Sequence, residues 1–272
     1  MDIFVIIFFV GGLASVIVAF ILEGGSPLIL LSPTAFMIVI LGTIGATGMS
    51  FPMSEIKKVP KLFKVAFTDR KYDYPGLIEN MKAMSKTART KGILSLEKEV
   101  LENNAIDAFT KRGLQFILDG LDPVKTREAL ESDLEMIEHR HHGGAAIFEA
   151  AGGFAPTLGI IGTCLGLINV LGNLAEPEKL GESIAVAFIC TLYGLATANL
   201  LWLPIGSNLK HKSKKEIVYN SMIIEGLILI QEGANPNFVE EKLKGYLSMK
   251  ELEGGGQKGE GKPAKSKGKK GK

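Results

Sequence analysis

Four long stretches of the chain carry almost no charge, and the charged residues are concentrated between the second and third stretches and after the fourth. The apolar stretches cover residues 3–22, 26–54, 143–175 and 183–209, and Glu149 is their only Asp, Glu, Lys, Arg or His. A helix rises about 1.5 Å per residue and a hydrocarbon core is about 30 Å thick, so each stretch can cross a membrane. The pattern predicts an all-α integral membrane protein with four transmembrane helices.

Composition agrees with this segregation, because 46% of the residues are hydrophobic and 22% are charged. A cleaved signal peptide is the competing interpretation of the first stretch. Asp2 stands where such a peptide has basic residues, however, and the apolar stretch is too long for one. Cys164 and Cys190 fall within the third and fourth stretches, where they are interpreted as small apolar residues rather than as a disulfide framework.

The distribution of lysine predicts the orientation. After Leu209 the chain has 14 lysines, whereas the connections at residues 23–25 and 176–182 together hold one. Basic residues favour the cytoplasmic side, so the large polar segments and both chain ends are predicted to be cytoplasmic. The two outward connections are too short to carry a receptor site or an enzyme.

The sequence therefore divides into five segments. Residues 1–54 form transmembrane helices 1 and 2, and residues 55–142 form a helical cytoplasmic domain between helices 2 and 3. Residues 143–209 form transmembrane helices 3 and 4, followed by cytoplasmic helices over residues 210–253. Residues 254–272 are mostly glycine and lysine and predict a disordered basic tail.

Within the polar segments, apolar residues at helical spacing predict helices over the ranges 77–91, 94–102, 106–118, 216–232 and 238–252. Asp122 and Pro123 are typical of a helix start. No proline follows until Pro156, so one rod is expected to join the cytoplasmic segment to the third span. Two glycine pairs within it oppose this hypothesis, since each glycine costs up to about 1 kcal/mol in a helix.

The third and fourth stretches each present a narrow face of small residues. Such faces let helices approach closely, and plain helix packing is their simplest interpretation. Proline inside a span also frees a carbonyl, and threonine hydroxyls add oxygens suited to a dehydrated cation, unless they bond to their own helix. The face consists of Gly152, Ala155, Pro156, Gly159, Gly162, Thr163 and Gly166 in the third stretch, and of Ala187, Thr191, Gly194 and Ala198 in the fourth.

No Asp, Glu, His, Lys or Arg lies near the middle of any stretch. A proton relay needs one, so proton movement would require a carboxylate from a second chain. Glu138 and the neighbouring histidines lack a regular ligand spacing, so no metal site is expected. No nucleotide-binding or hydrolase motif is present, and the chain is not expected to be an enzyme. The basic residues are expected to meet membrane lipid rather than nucleic acid.

Two runs of sequence carry a family resemblance: AAGGFAPTLGIIGTCLGLINVLGNL over residues 150–174 and AVAFICTLYGLATANLLWLPIGSNLK over residues 185–210. Together with the order of two spans, a domain and two spans, they resemble the MotA/PomA family of flagellar motor stator subunits, over about residues 1–250. The resemblance implies a homopentamer around two B-type (MotB/PomB-like) subunits. It further implies a proton or sodium channel, with no cofactor, that converts ion flow into torque on the rotor.

The resemblance also assigns an ion path. Pro156 matches the third-span proline beside that path, and Pro204 matches the proline near the end of the fourth span. Thr191 matches the threonine that faces a transmembrane Asp of the B-type subunit, and Thr157 is placed on the same path. Thr163 falls where sodium-driven members tend to have threonine, which is a hint toward sodium.

Two charged residues of the cytoplasmic domain, Arg89 and Glu97, match the family's basic and acidic residues that face the rotor switch protein (FliG-like). From the sequence alone they are charges on a solvated helix. Complementary charges would suit a contact that forms and breaks repeatedly, since they raise association rates more than affinity.

Two alternatives remain at this point. The ExbB/TolQ family also energises work at a membrane but has three spans, whereas the residues from Glu23 to Ser26 here separate two stretches that each suffice to cross. A membrane scaffold that packs partner helices without conducting ions is the second alternative.

Overall fold

Among the residues that the structure describes, four helical segments are long and apolar enough to cross a membrane. A computed structural model describes residues 2–97, 106–172 and 177–247, and within those ranges the regular structure is entirely helical. The first span is the helix Ile3–Leu22. The four-span, all-α prediction is confirmed, and the protein is a multi-pass membrane protein.

The second span begins later than its charge-free stretch suggests. A turn at Gly24, whose φ of 87° favours glycine, leads into a 3₁₀ helix over Pro27–Leu30. The spanning helix starts at Pro33 and consists of α-helix Pro33–Phe36, a π-helical turn Met37–Leu41 and α-helix Gly42–Ser50. Hydropathy did not reveal this start, because Pro27–Leu31 is as apolar as the span itself.

The third span is part of one unbroken helix of 50 residues, Pro123–Gly172. At its start the backbone N–H of Lys125 donates to the Asp122 carboxylate at 3.0 Å, as the sequence predicts. That hydrogen bond lowers the pKa of Asp122. The glycine pairs do not interrupt the helix, so the expectation of a continuous rod is confirmed.

The fourth span also continues beyond its apolar stretch. α-helix Pro177–Thr197 leads into a π-helical turn, Ala198–Trp202, and then into α-helix Leu203–Gln231. A separate helix expected over residues 216–232 is therefore the end of the same helix. The last described helix is Pro236–Lys244, and the rest of the predicted helix 238–252 lies mostly outside the described residues.

The chain divides into two compact units. One comprises Met1–Lys71 and Glu135–Lys215, with all four spans, and it also contains the short helices Met53–Ile56 and Val59–Ala66. A buried cluster in this unit joins the second short helix to the third and fourth spans. Its fully packed members include Ala66, Phe148 and Leu209.

The second unit is a polar helical unit built from Tyr72–Leu134 and the segment that begins at Glu216. It includes helices Tyr74–Lys91 and Ala108–Leu118, with a 3₁₀ turn Ile93–Leu96. The predicted helix 94–102 is described only as far as residue 97. Fully buried side chains form the core of this unit, among them Met81, Leu96, Leu114, Leu130, Met222, Leu227 and Leu243.

Candidate ion path

The third and fourth spans touch through glycine. A Cβ atom built on Gly194 would lie 2.6 Å from the carbonyl oxygen of Ala155, and one on Gly159 would lie 2.9 Å from that of Cys190. About two turns farther along the third span, a Cβ on Gly166 would lie 2.6 Å from the Cβ of Ala187. The backbones are thus in direct contact, which only small residues permit. The small-residue faces predicted from sequence meet each other within the chain.

Four oxygen atoms converge on this contact. The hydroxyl of Thr163 lies 3.1 Å from the carbonyl oxygen of Gly159 and 3.0 Å from that of Ala187. It also forms a hydrogen bond with the hydroxyl of Thr191. Gly159 and Ala187 each stand four residues before one of the threonines, so each helix contributes one hydroxyl and one carbonyl. We call these four atoms the oxygen cluster.

The oxygen cluster is closed in this structure. Two hydroxyl groups have two protons to share, and they donate to each other or to the neighbouring carbonyls. Thr163 and Thr191 are both half-buried, and the flanking Gly159, Gly162 and Gly194 are buried. The contact of the Thr163 hydroxyl with the Gly159 carbonyl lies within one helix, which was the simpler alternative from the sequence. Its contacts with Ala187 and Thr191 cross between the two helices.

The other predicted path residues occupy different positions. Pro156 belongs to the same contact, because its Cα lies 3.1 Å from a Cβ built on Gly194. Thr157 is exposed, and its hydroxyl donates to the carbonyl of Phe154 at 2.7 Å. Pro204 is exposed as the second residue of helix Leu203–Gln231, directly after the π turn. The structure therefore brings together Pro156, Thr163 and Thr191 and leaves Thr157 and Pro204 outside the contact.

The two predicted rotor-facing residues lie close together in the chain and are both exposed. Arg89 is in the last turn of helix Tyr74–Lys91, and Glu97 follows the 3₁₀ turn Ile93–Leu96. Gly92, with a φ of 84°, reverses the backbone between them. Within the described ranges, neither side chain forms an ion pair, so both charges are available to a partner.

The acidic residue at the edge of the third span is neutralised locally. Glu149 Oε1 lies 2.5 Å from Nζ of Lys210, at the end of the fourth apolar stretch. Between residues 150 and 172 and between residues 183 and 209, the chain has no Asp, Glu, His, Lys or Arg. Beyond Glu149, these two spans offer hydroxyl and carbonyl oxygens but no carboxylate.

Two polar contacts of the spans were not predicted from the sequence. The hydroxyl of Tyr193 donates to the carbonyl of Leu30 at 2.6 Å, which ties the fourth span to the connection before the second. The buried hydroxyl of Thr43 donates to the carbonyl of Val39 within the π turn of the second span. A tyrosine inside an apolar stretch was the available signal, since a buried phenol requires a partner.

Comparison with known proteins identifies the family. The MotA/TolQ/ExbB proton channel family matches residues 101–222, and the N-terminal region of motility protein A matches residues 6–92. Motility protein A of Bacillus subtilis is 40% identical over 235 residues, which cover 86% of this chain and 86% of the relative. The chain belongs to the MotA/PomA family of flagellar motor stator subunits.

Further relatives agree with the MotA/PomA assignment. Chemotaxis protein PomA of Vibrio alginolyticus is 34% identical over 248 residues, covering 91% of this chain and 96% of the relative. The solved structure of the flagellar MotAB stator complex from Bacillus subtilis superimposes with a TM-score of 0.86 at 38% identity, covering 92% of this chain and 97% of that one. Four spans and the match to motility protein A over residues 6–92 favour the MotA/PomA branch over a three-span ExbB/TolQ protein.

Proposed function

We propose that this stator subunit conducts protons or sodium ions along the oxygen cluster between its third and fourth spans, beside a transmembrane Asp supplied by a B-type subunit. The observation that carries the proposal is the pairing of Thr163 with Thr191 in spans whose one carboxylate, Glu149, lies at the edge and is paired with Lys210. Hydroxyl and carbonyl oxygens replace water around a small cation, whereas proton transfer needs a titrating group.

Ion passage then requires the cluster to open. Its hydroxyls satisfy each other in the closed state, so a partner carboxylate or a cation must compete with the hydrogen bond between Thr163 and Thr191. Binding of an ion to the partner Asp neutralises its charge. The neutral side chain then favours rotation of the ring of A subunits to its next position. The membrane potential supplies about 2.3 kcal/mol per charge per 100 mV for each step. Pro156 belongs to this path, with Thr157 and Pro204 at its flanks.

The assembly we propose is a homopentamer around two B-type subunits. The outer face of the third span exposes large apolar side chains, including Ile160, Ile161 and Ile168, which suit contact with lipid or with a neighbouring copy. The polar unit and both chain ends lie in the cytoplasm, where lysine is concentrated. Arg89 and Glu97 there meet the rotor switch protein through complementary charge.

This mode of action involves neither an enzymatic step nor a cofactor, and nucleic acid is not a partner. The transported ion is the only small species that the proposal requires. A non-conducting scaffold would need the same helix packing but not the hydroxyl groups, so the two functions differ in their response to threonine substitution.

The test is rotation of tethered cells that lack their own A subunit and receive this chain with its matching B-type subunit, at fixed pH and varied external sodium. Speed that rises and saturates with sodium identifies sodium as the ion, whereas sodium-independent rotation abolished by a proton uncoupler identifies protons. Thr191→Val should stop rotation and ion flux while the complex still assembles.

Thr197→Val is the matched control, because Thr197 lies on the same helix and its hydroxyl donates only to carbonyls of that helix, with Tyr193 O at 2.7 Å. Rotation should persist in this variant. Full flux and torque in an assembled Thr191→Val complex would refute the path and favour the scaffold.

A further inference from the structure

The helix that follows the second span has two unlike faces. Val59–Ala66 begins nine residues after Ser50, where the second span ends, and the short helix Met53–Ile56 lies in the interval. Its inner face packs on the ends of the third and fourth spans: the Phe63 ring lies 5.1 Å from that of Phe148, edge to face. The helix is therefore fixed at the end of the membrane-spanning bundle.

The C-terminal end of this helix is also held. Nζ of Lys212 donates to the carbonyls of Val65, Ala66 and Thr68 at 2.9, 2.5 and 2.8 Å. Val65 and Ala66 belong to the last turn, whose carbonyls have no donor within the helix, and the Val65 carbonyl also accepts from the N–H of Thr68 at 3.2 Å. The burial of Lys212 lowers its pKa. With one face packed and its end capped, the helix presents a permanent outer face.

That outer face combines lysine with apolar side chains. Lys61 and Lys64 stand three residues apart in helix Val59–Ala66, and Lys57 lies four residues before Lys61 in the two-residue turn that joins this helix to Met53–Ile56. Both turn residues keep right-handed helical dihedral angles, so the three lysines fall on one stripe. Met53 and Val65 share the stripe and are 67% and 41% exposed, so apolar surface is left uncovered beside the charges. We call these five residues the lysine stripe.

The stripe has a net positive charge. Glu55, two residues before Lys57, is paired with Lys58, with Nζ to Oε1 at 2.6 Å, and Asp2 lies 3.9 Å from Lys212 rather than against a stripe lysine. In the described part of the chain, the three stripe lysines form no ion pair, and all three are exposed. Such a surface, positive and partly apolar at the end of a membrane span, matches an anionic headgroup above acyl chains.

We propose that the lysine stripe is a binding surface for anionic phospholipid on the membrane leaflet that faces helix Val59–Ala66. The lysine stems lie along the apolar surface and their ammonium groups reach the phosphates. Met53 and Val65 enter the acyl boundary. Because each complex holds several copies of the chain, the stripe would surround the stator with anionic lipid. This binding does not depend on which ion the stator conducts.

The chain's single tryptophan, Trp202, is a probe for this lipid. Its ring lies 6.3 Å from that of Phe63, directly behind the stripe helix. The complex with its B-type subunit is reconstituted into mixed phosphatidylcholine and phosphatidylglycerol vesicles in which one or the other lipid is brominated. Bromine quenches nearby tryptophan fluorescence, and a Trp202→Phe complex supplies the background from the partner's tryptophans.

We expect brominated phosphatidylglycerol to quench Trp202 more than brominated phosphatidylcholine at equal mole fraction. Replacement of the three stripe lysines by glutamine should lower this preference at least fivefold. A fivefold change corresponds to about 1 kcal/mol, which is the contribution of one basic side chain near an anionic surface. Since the variant removes three lysines, fivefold is the smallest loss we expect. Salt at 0.5 M should reduce the preference of the unmodified complex as well.

The control variant removes three exposed lysines from the other unit, Lys86, Lys91 and Lys242, and should keep the preference. Equal quenching by the two lipids would overturn the proposal, as would an equal loss in both triple variants. Absence of quenching by either lipid would also overturn it, because protein would then cover the stripe. If the triple stripe variant does not assemble, the proposal is tested with the single variant Lys61→Gln and with the salt titration of the unmodified complex.

Discussion

The direct backbone contact between the third and fourth spans predicts that a single methyl group will separate them. In Gly194→Ala, the new Cβ would lie 2.6 Å from the Ala155 carbonyl oxygen, whereas ordinary contact begins at 3.4 Å. The obstacle is backbone rather than a flexible side chain, so the two helices must move apart locally by about 0.8 Å.

That displacement reaches the oxygen cluster one turn away. The contact between the Thr163 hydroxyl and the Ala187 carbonyl, 3.0 Å in the structure, would lengthen to about 3.8 Å and cease to be a hydrogen bond. Overpacking of this kind costs about 1–3 kcal/mol. At about 2–4 °C per kcal/mol, we expect the melting temperature of the complex to fall by several degrees, and rotation to slow or stop.

The matched control is Gly181→Ala on the same helix, because a Cβ at Gly181 meets nothing within 4 Å. An alanine there should be neutral or slightly stabilising, since glycine costs about 0.5–1 kcal/mol in a helix. The melting temperature of the purified complex, with size-exclusion chromatography as the measure of intact complex after heating, is compared between the two variants and the unmodified chain. Equal melting temperatures and normal rotation for both would refute the close contact.

Three further substitutions test contacts outside the oxygen cluster. Lys212→Met should lower the free energy of unfolding by about 1–3 kcal/mol, because the carbonyls at the end of helix Val59–Ala66 lose the ammonium donor. Limited proteolysis should then cut that segment faster than it does in the control Lys214→Met. Tyr193→Phe keeps the ring but removes one hydrogen bond, so amide exchange in residues 25–32 should accelerate, as measured by mass spectrometry. Glu240 accepts hydrogen bonds from Lys244 and Lys82, which hold its pKa at about 2 instead of 4.5. This stabilisation is complete above pH 4.5 and is lost as the pH falls toward 2. Glu240→Gln should therefore cost about 1 kcal/mol at pH 7 and less at pH 3.5, measured by melting.

Sequence patterns predict the parts of this fold that depend on local composition. Spans follow from the absence of charge, and the start of the long helix follows from Asp122 and Pro123. The contact faces follow from the spacing of Gly159, Gly166 and Gly194, since small residues matter only where backbones meet. Each of these signals lies within one helix, and each has a direct physical cause.

Contacts between distant segments were not predictable in this way. Nothing in the spacing of residues indicates that Tyr193 donates to Leu30, or that Lys212 caps a helix about 146 residues earlier in the chain. The same limit explains the hydroxyl pair, because sequence placed Thr163 and Thr191 on small-residue faces without indicating that they meet. Their roles in ion passage stay predictions until flux is measured.

The π turns mark where the membrane helices depart from regular geometry for a chemical reason. Pro204 has no N–H to donate to the carbonyl four residues earlier, that of Leu200. Within the preceding turn, the N–H of Leu203 donates to the carbonyl of Ala198, five residues earlier, as in a π-helix. The π turn Ala198–Trp202 stands directly before this proline. In the second span, the Thr43 hydroxyl supplies a donor to a carbonyl of the π turn. Because unsatisfied backbone groups cost several kcal/mol in a membrane, each irregularity needs such a donor. The turn before Pro204 separates this proline from Thr191 along the fourth span, so the oxygen cluster and the proline lie on opposite sides of the irregularity.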